Sequence, residues 1–173
     1  MKSMSIRRLL VVLASLALVV GLVAGTASSG AKSEKPKRQT IAQTAAGSNQ
    51  FDTLVSLLGQ AGLVETLNGK GRFTVFAPTD AAFAKVPKST LAALGADTEQ
   101  LKSVLLYHVA SGKLTARKVV KRSSVRTLNG ERVKIRVTRK GVKVNNARVV
   151  TADVKASNGV IHAIDKVLLP PQD

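Results

Sequence analysis

Residues 73–83 read FTVFAPTDAAF, and the fold can be worked out from this stretch outward. Its first five residues are apolar on both alternating faces except for one threonine, which predicts a strand buried on both sides. The Pro-Thr-Asp that follows opens a helix, because Thr79 or Asp80 can cap the free N–H groups of a first turn. Asp80 also suits the positive end of the helix dipole. The stretch therefore predicts a central strand joined directly to a helix.

The segments on either side of this stretch predict an α+β domain. Most of residues 40–109 carry apolar side chains at helical spacing, with glycines or prolines where helices would end. The following segment has apolar residues at alternate positions, with turns predicted at Asn129-Gly130 and at Arg139–Gly141. A last apolar strand is predicted over Val160–Leu169. Helices first and strands afterwards indicate one α+β domain at residues 40–170.

Three motifs in this domain resemble those of fasciclin-like domains. The first is the stretch at 73–83, the second is LYHV at Leu106–Val109, and the third is NGVIHAIDKVLLP at Asn158–Pro170. Because they occur in the expected order, the chain is identified as a member of this family, of the secreted bacterial type with a single domain. The resemblance implies a β-sandwich wedge with several α-helices packed around it. It also implies a secreted or surface-bound module for cell adhesion and protein contacts, with no catalytic activity.

The resemblance carries the family's adhesion-related residues over to four positions. These are Tyr107, His108, Ile164 and Asp165. In animal relatives, short motifs around an Asp-Ile pair and around the Tyr-His motif are linked to receptor binding. Here the order is Ile164-Asp165, and the longer acidic receptor-binding motif is absent. We therefore expect these residues to be framework rather than contacts.

The two histidines and the Asn158-Gly159 pair are interpreted as structural. Asn158 and Gly159 both tolerate left-handed backbone angles, so we predict that they form the tight turn before the last strand. His162 shares a strand face with apolar residues, and a buried imidazole needs hydrogen-bond partners, for which Asp80 or a backbone carbonyl are candidates. The alternative is a small-ligand protein in which His108 or His162 binds haem or a metal.

The composition disfavours catalysis. The chain has no Cys, which excludes disulfides, thiolate metal sites and thiol nucleophiles. It has two His, one Tyr and no Trp, so side chains suited to proton transfer are scarce. A Gly-x-Ser-x-Gly elbow, a phosphate-binding glycine loop and a His-Glu-x-x-His motif are all missing from the sequence. We expect neither an enzyme nor a resident cofactor.

The N-terminal segment predicts export. Basic residues precede an apolar run of 16 residues, Leu9–Ala24, and small residues follow it, which is the order of parts in a secretory signal peptide. We predict a signal peptide at residues 1–27, a flexible basic linker at 28–39 and a C-terminal tail at 171–173. An uncleaved anchor is the alternative, but the run is shorter than the roughly 20 residues that span a bilayer. The destination would be the medium, the cell surface or the periplasm.

The basic residues are concentrated in one block. Lys and Arg outnumber Asp and Glu by 27 to 10 over the chain. Residues 113–148 hold 13 basic residues and a single acid, Glu131, whereas the remainder of residues 39–173 holds seven bases and eight acids. Such an excess usually indicates an anionic partner or surface.

Strand alternation puts part of this block on one face of the sheet. A three-residue loop at Asn129–Glu131 would set Arg126 opposite Lys134. A four-residue second loop would set Arg136 opposite Lys143. A register shifted by one residue would turn the apolar side chains to water. The predicted basic face consists of Arg126, Arg132, Lys134, Arg136 and Lys143.

The partner of such a face is predicted by what surrounds the charge. Like charges on adjacent strands destabilise a sheet by a few tenths of a kcal/mol per pair, which a fixed anionic partner would offset; a merely soluble surface is the alternative. All five aromatic residues precede residue 108, so a base-stacking platform beside the cations is not predicted. We expect an extracellular protein, an acidic polysaccharide or a cell-envelope polymer, not sequence-specific nucleic acid. Membrane contact is expected only through the signal segment.

Overall fold

The computed structural model describes residues 38–171. The predicted signal peptide, nearly all of the linker and the last two residues of the tail lie outside that range. Within it no helix is both long and apolar enough to cross a membrane. The helices are α1 Ile41–Ala46, α2 Asp52–Gln60, α3 Val64–Asn68, α4 Asp80–Phe83, α5 Lys88–Ala96, α6 Thr98–Tyr107 and α7 Ala116–Val119. The strands are β1 Phe73–Pro78, β2 Val109–Ser111, β3 Ser124–Arg126, β4 Arg132–Thr138, β5 Gly141–Val144, β6 Ala147–Ala156 and β7 Gly159–Ile164.

The seven strands form one sheet in the order β2-β1-β7-β6-β5-β4-β3. β1 and β7 run parallel, and every other neighbouring pair is antiparallel. The two edges approach each other, because Ala110 bridges to Thr127 and the Leu128 N–H donates to the Val109 carbonyl at 2.7 Å. The sheet is therefore a near-barrel whose inner faces oppose each other. Helices α1, α2 and α6 pack on its outer side, whereas Val119 of α7 joins the apolar cluster inside. The predicted α+β class is confirmed.

Strands β1 and β7 are buried on both faces, as predicted for the 73–77 stretch. Val75 and Ile161 pair and point to the helices, where they join a core built with side chains of α1, α2 and α6. Phe76 and Ile164 point the other way, into a second apolar cluster inside the sheet. Each large apolar side chain buried in this way contributes roughly 1.5–3 kcal/mol. The two strands consequently join both halves of the core.

The turn before β7 works differently from the prediction. Neither Asn158 nor Gly159 has a positive φ, so left-handed freedom does not explain the glycine. A Cβ on Gly159 would collide with the carbonyl oxygen of Phe73 and lie 2.6 Å from the side chain of Ile41. The glycine is needed because two backbones pass so closely there.

Asn158 joins three separate segments at this crossing. Its Oδ1 accepts a hydrogen bond from the Ile41 N–H at 2.9 Å, at the start of α1. Its Nδ2 donates to the carbonyl of Leu67 and, at 3.2 Å, to that of Gly69. The amide therefore holds the start of β7 to the beginning of α1 and the end of α3, which accounts for Asn at this position.

Gly159→Ala should destabilise the protein by about 3 kcal/mol, because the added methyl group has backbone in its way and overpacking of this kind costs roughly that much. Gly95→Ala is the matched control. Gly95 lies in α5, and a Cβ added there would have nothing within 4 Å, so alanine there should stabilise by about 0.5–1 kcal/mol. Denaturant unfolding of both variants measures the two effects. Equal stabilities would contradict the close approach.

Candidate functional site

The β3–β4 hairpin has a different register from the predicted one. Arg126 lies opposite Arg132, not Lys134. The loop occupies 128–130 rather than 129–131, because Thr127 donates to the Glu131 carbonyl from its N–H at 2.9 Å and from its Oγ1 at 3.0 Å. Gly130, with φ 98°, supplies the left-handed residue that a three-residue loop needs. The shift changes the partner by two residues, so the same side chains still face outward.

The β4–β5 register is confirmed. Arg136 lies opposite Lys143, as the alternation predicts. Thr138 and Gly141, expected within the loop, also pair with each other, so the turn itself is Arg139-Lys140.

Sequence reasoning left out one cation of this face, Arg148. β6 continues the meander and places Arg148 opposite Lys143. The sequence does contain a feature that predicts the β5–β6 turn. Asn145-Asn146, between Val144 and Ala147, is a dipeptide suited to a two-residue turn. Asn145 has φ 54° there, a conformation that asparagine adopts more readily than most residues.

We call the outward cations of β3–β6 the cationic face: Arg126, Arg132, Lys134, Arg136, Lys143 and Arg148. Five of the six are exposed, and Lys143 is half-buried. Residues 38–171 contain a single ion pair, between Lys102 and Glu99 at 3.5 Å. The cationic face therefore has no carboxylate partner from this part of the chain, and its charge is available to other molecules.

A groove runs beside β4 on this face. Its lining includes Arg132, Lys134 and Arg136, and its volume is about 420 Å³. Asn145 and Tyr107 form the polar part of the floor, joined by a hydrogen bond of 2.9 Å from Nδ2 to the hydroxyl oxygen. Leu169 and Pro171 complete the lining on the C-terminal side. We call this the cationic groove.

The four positions carried over from the family's adhesion motifs are mostly enclosed. Tyr107 and His108 are each 2% exposed and Ile164 is fully buried. Asp165 is half-buried, and its carboxylate accepts from the Arg148 N–H at 2.7 Å. β7 ends at Ile164, whereas the sequence predicts a strand reaching Leu169. The side chains of the first three are not presented to a partner, which favours a framework role.

His108 is held as a neutral imidazole. Nδ1 donates to the Val104 carbonyl at 2.8 Å, and Nε2 accepts from the Leu168 N–H at 2.9 Å. Burial lowers the pKa of His108 to about 4, although the hydrogen bond to Val104 acts in the opposite direction. The ring therefore joins the end of α6 to the C-terminal segment without carrying charge.

His162 is also neutral, with the opposite tautomer. Nε2 donates to the Leu114 carbonyl at 2.8 Å, and Nδ1 accepts from the Asp153 N–H at 3.3 Å. The predicted carbonyl partner is thus present, whereas Asp80 bonds elsewhere. The ring stacks on Phe76 with centroids 5.7 Å apart. Burial lowers the pKa of His162, opposed by the Leu114 hydrogen bond and the charge of Asp153.

The haem or metal alternative is not supported at either histidine. Each neutral ring has one lone pair, and in both cases a backbone N–H already occupies it. A metal would have to displace that hydrogen bond within a buried site. Among residues 38–171 there is also no group of three or more His, Asp or Glu placed to hold a metal.

Thr79 and Asp80 cap two different helices. Thr79 precedes α4 and accepts from the Ala82 N–H at 3.3 Å, as predicted. Asp80 instead accepts from the N–H groups of Thr53 at 2.9 Å and Asp52 at 3.3 Å, at the start of α2. Partial burial of this carboxylate raises its pKa, but the hydrogen bonds from Thr53 and Asp52 outweigh that and lower the pKa of Asp80 overall.

Comparisons with known proteins agree with these motifs. The fasciclin domain profile matches residues 49–170. The chain is 48% identical over 134 residues to protein sll1483 of Synechocystis sp., covering 76% of this chain and 74% of that protein. It is 38% identical over 136 residues to cell surface glycolipoprotein MPB83 of Mycobacterium bovis, covering 76% of this chain and 60% of that protein.

A solved structure shares the fold. A FAS1 domain pair from the insect cell adhesion molecule Fasciclin I superposes with a TM-score of 0.65 at 21% sequence identity. The match covers 76% of this chain and 51% of the other, so the chain spans about half the length of that pair.

The neutral histidines predict that stability falls in mild acid. In the unfolded chain His108 takes up a proton near pH 6.5, whereas in the folded chain it does so near pH 4. Unfolding therefore binds a proton between these values, and the free energy of unfolding decreases as the pH falls. For His108 the decrease from pH 7 to pH 5 should be about 2 kcal/mol. Denaturant unfolding across this range measures it.

His108→Gln supplies the control for this slope. Glutamine does not titrate, so the variant should be less stable at pH 7 but lose about 2 kcal/mol less on acidification. His162 contributes to the remaining slope, because its pKa is lowered in the same direction. An unchanged slope in His108→Gln would show that His108 is not the neutral buried group described above.

Proposed function

The chain belongs to the fasciclin domain family, and from this premise we propose that it is an extracellular interaction module that binds acidic polymers through its cationic face. Membership of the family indicates adhesion or interaction in general, without a particular binding surface or a particular chemistry of the partner. Two comparisons support the setting, since one relative is named a cell surface glycolipoprotein and the solved homologue comes from a cell adhesion molecule.

One observation carries the proposal: six cations share one face of four strands and have no carboxylate partner among residues 38–171. Pairs such as Arg126–Arg132 and Arg136–Lys143 repel each other directly across the sheet. A bound polyanion would remove that repulsion and release its own counterions, which is a favourable contribution at moderate salt.

The aromatic residues argue against nucleic acid as the partner. Proteins that bind single strands stack bases on exposed aromatic rings. Here Phe51, Phe76, Phe83 and Tyr107 are buried and Phe73 is half-buried. The cationic face therefore offers charge without stacking surfaces, which suits polysaccharides and cell-envelope polymers.

The proposed setting is outside the cytoplasm. In this scheme residues 1–27 direct export, residues 28–39 form a basic tether, and the domain at residues 40–170 carries the binding face. Residues 171–173 form a short tail. The proposed activity is binding without catalysis, and the burial of both neutral histidines supports it, because neither ring is available to a substrate.

Retention of the full chain on immobilised heparin, a sulfated polysaccharide, tests this function across a salt series. Replacing Arg126, Lys134, Arg136 and Lys143 by Gln should lower the salt needed for elution. It should also reduce the dependence of log Kd on log salt, because fewer cation–anion contacts form and binding therefore releases fewer counterions. For single-stranded nucleic acid each contact adds about 0.7 to that slope, so four contacts correspond to roughly 3.

The matched control changes four exposed cations outside the cationic face, Lys70, Lys88, Lys155 and Lys166, to Gln. The net charge change is the same, so net charge alone predicts equal effects. A weaker effect in the control supports the face. Equal, shallow salt dependence in all three proteins would mean that the charge serves solubility, and the search would turn to a protein partner.

A further inference from the structure

The C-terminal residues Leu169–Pro171 separate two grooves. On one side lies the cationic groove, in which Leu169 and Pro171 face the cations of β4. On the other side lies a groove of about 910 Å³ bounded by α5, α6 and the β3–β4 loop, and the same two residues line it. We call the second one the helix-side groove. The two grooves thus share one wall.

That shared wall is firmly attached. Leu168, the residue before it, is buried, and its N–H donates to Nε2 of His108 at 2.9 Å. Leu169 in contrast is 51% exposed. The wall is therefore an apolar ridge that is anchored at Leu168 and borders both grooves.

The helix-side groove has a different chemistry from the cationic groove. No Lys or Arg lines it, and its polar groups are mainly hydroxyls and amides. They are those of Ser89, Thr90, Gln100, Ser103 and Asn129. Leu94, Val104 and Pro170 supply apolar surface. Uncharged hydrogen-bonding groups beside apolar patches suit the hydroxyls and C–H faces of neutral sugars.

A single acid distinguishes this groove further. Glu131, the one carboxylate of the basic block, lines the helix-side groove, whereas its neighbour Arg132 lines the cationic groove. A carboxylate repels acidic groups that approach within a few ångströms. Glu131 therefore directs the acidic parts of a ligand to the other side of the ridge.

From these observations we propose that the two grooves form one bipartite site for a linear acidic glycan in which charged and uncharged sugars alternate. A single acidic sugar lies over β4, beside Arg132, Lys134 and Arg136, which recur about 6.7 Å apart on alternate residues. A neutral sugar lies across the ridge in the helix-side groove. The inference rests on the proposed function and specifies its ligand.

A protein partner fits these grooves less well. Protein interfaces depend on large apolar or aromatic anchors that become buried. Among residues 38–171 the exposed large apolar side chains are Val120, Val137, Val150 and Leu169. Of these only Leu169 borders the two grooves.

Binding of the full chain to three polymers tests the bipartite site. Hyaluronan fragments alternate acidic and neutral sugars, polygalacturonate is acidic at each sugar, and inorganic polyphosphate has charge without sugar. The chain should bind hyaluronan fragments more tightly than polygalacturonate of equal length. Arg132→Gln with Arg136→Gln should weaken hyaluronan binding about tenfold, because two exposed charge contacts are lost. Arg126→Gln with Lys143→Gln, on the same face but outside the groove, should weaken it less.

Two further variants examine the helix-side groove. Ala93→Phe places a large side chain in the groove from α5 without a change in charge, so hyaluronan binding should be weakened while polyphosphate binding is kept. Ala92→Phe, on the same helix but outside the lining, is the control and should bind normally. Glu131→Gln should tighten polygalacturonate binding about two- to fivefold and leave hyaluronan binding nearly unchanged.

Failure of the bipartite site and failure of the proposed function would give different results in these experiments. Unchanged hyaluronan binding in Ala93→Phe would overturn the bipartite site while leaving the cationic face intact. An equal loss of hyaluronan affinity in the two double variants would show that the ligand responds to the charge of the whole face and does not occupy the cationic groove. Tighter binding of polygalacturonate than of hyaluronan would overturn the role of Glu131. Absence of binding to all three polymers at low salt would overturn the proposed function itself.

Discussion

The close parallel pairing of β1 with β7 is the contact on which the rest of the structure depends. At its start the backbones of Phe73 and Gly159 approach so closely that no side chain fits between them. Asn158 fixes the crossing by bonding to α1 and to the end of α3. Because both strands are buried on both faces, this pairing joins the helical core to the core inside the sheet. The meander from β6 to β3 then extends from β7.

Alternation along the meander links the core to the cationic face. Each β4 residue between two cations points inward, where Val133 and Ile135 are buried. Burial of such side chains contributes roughly 1.5–3 kcal/mol each, whereas a repelling cross-strand pair costs a few tenths. The core therefore decides the register, and the fold tolerates a row of like charges that a partner can use.

The buried histidines connect this core to the surface. His108 is too deeply buried to contact a ligand. Its hydrogen bond to Leu168 nevertheless positions the start of the ridge between the two grooves. The hydroxyl of Tyr107, the residue before His108, accepts a hydrogen bond from Asn145 at the floor of the cationic groove. The family's Tyr-His motif thus supports the proposed binding surface from beneath.

Alternation along one chain is enough to predict which face of a strand most side chains occupy, although Val137, on the same face of β4 as Val133 and Ile135, is 61% exposed. The buried strand at 73–77, the outward position of the cations and the Arg136–Lys143 pair all depend on local alternation, and local alternation is visible in one chain. Contacts between residues far apart in the chain are visible only in the folded structure. Asp80 caps a helix 27 residues earlier in the chain, Arg126 pairs with Arg132 because Gly130 sets the loop, and Leu169 borders two grooves. These contacts depend on packing between segments, and single-sequence periodicity contains no information about it.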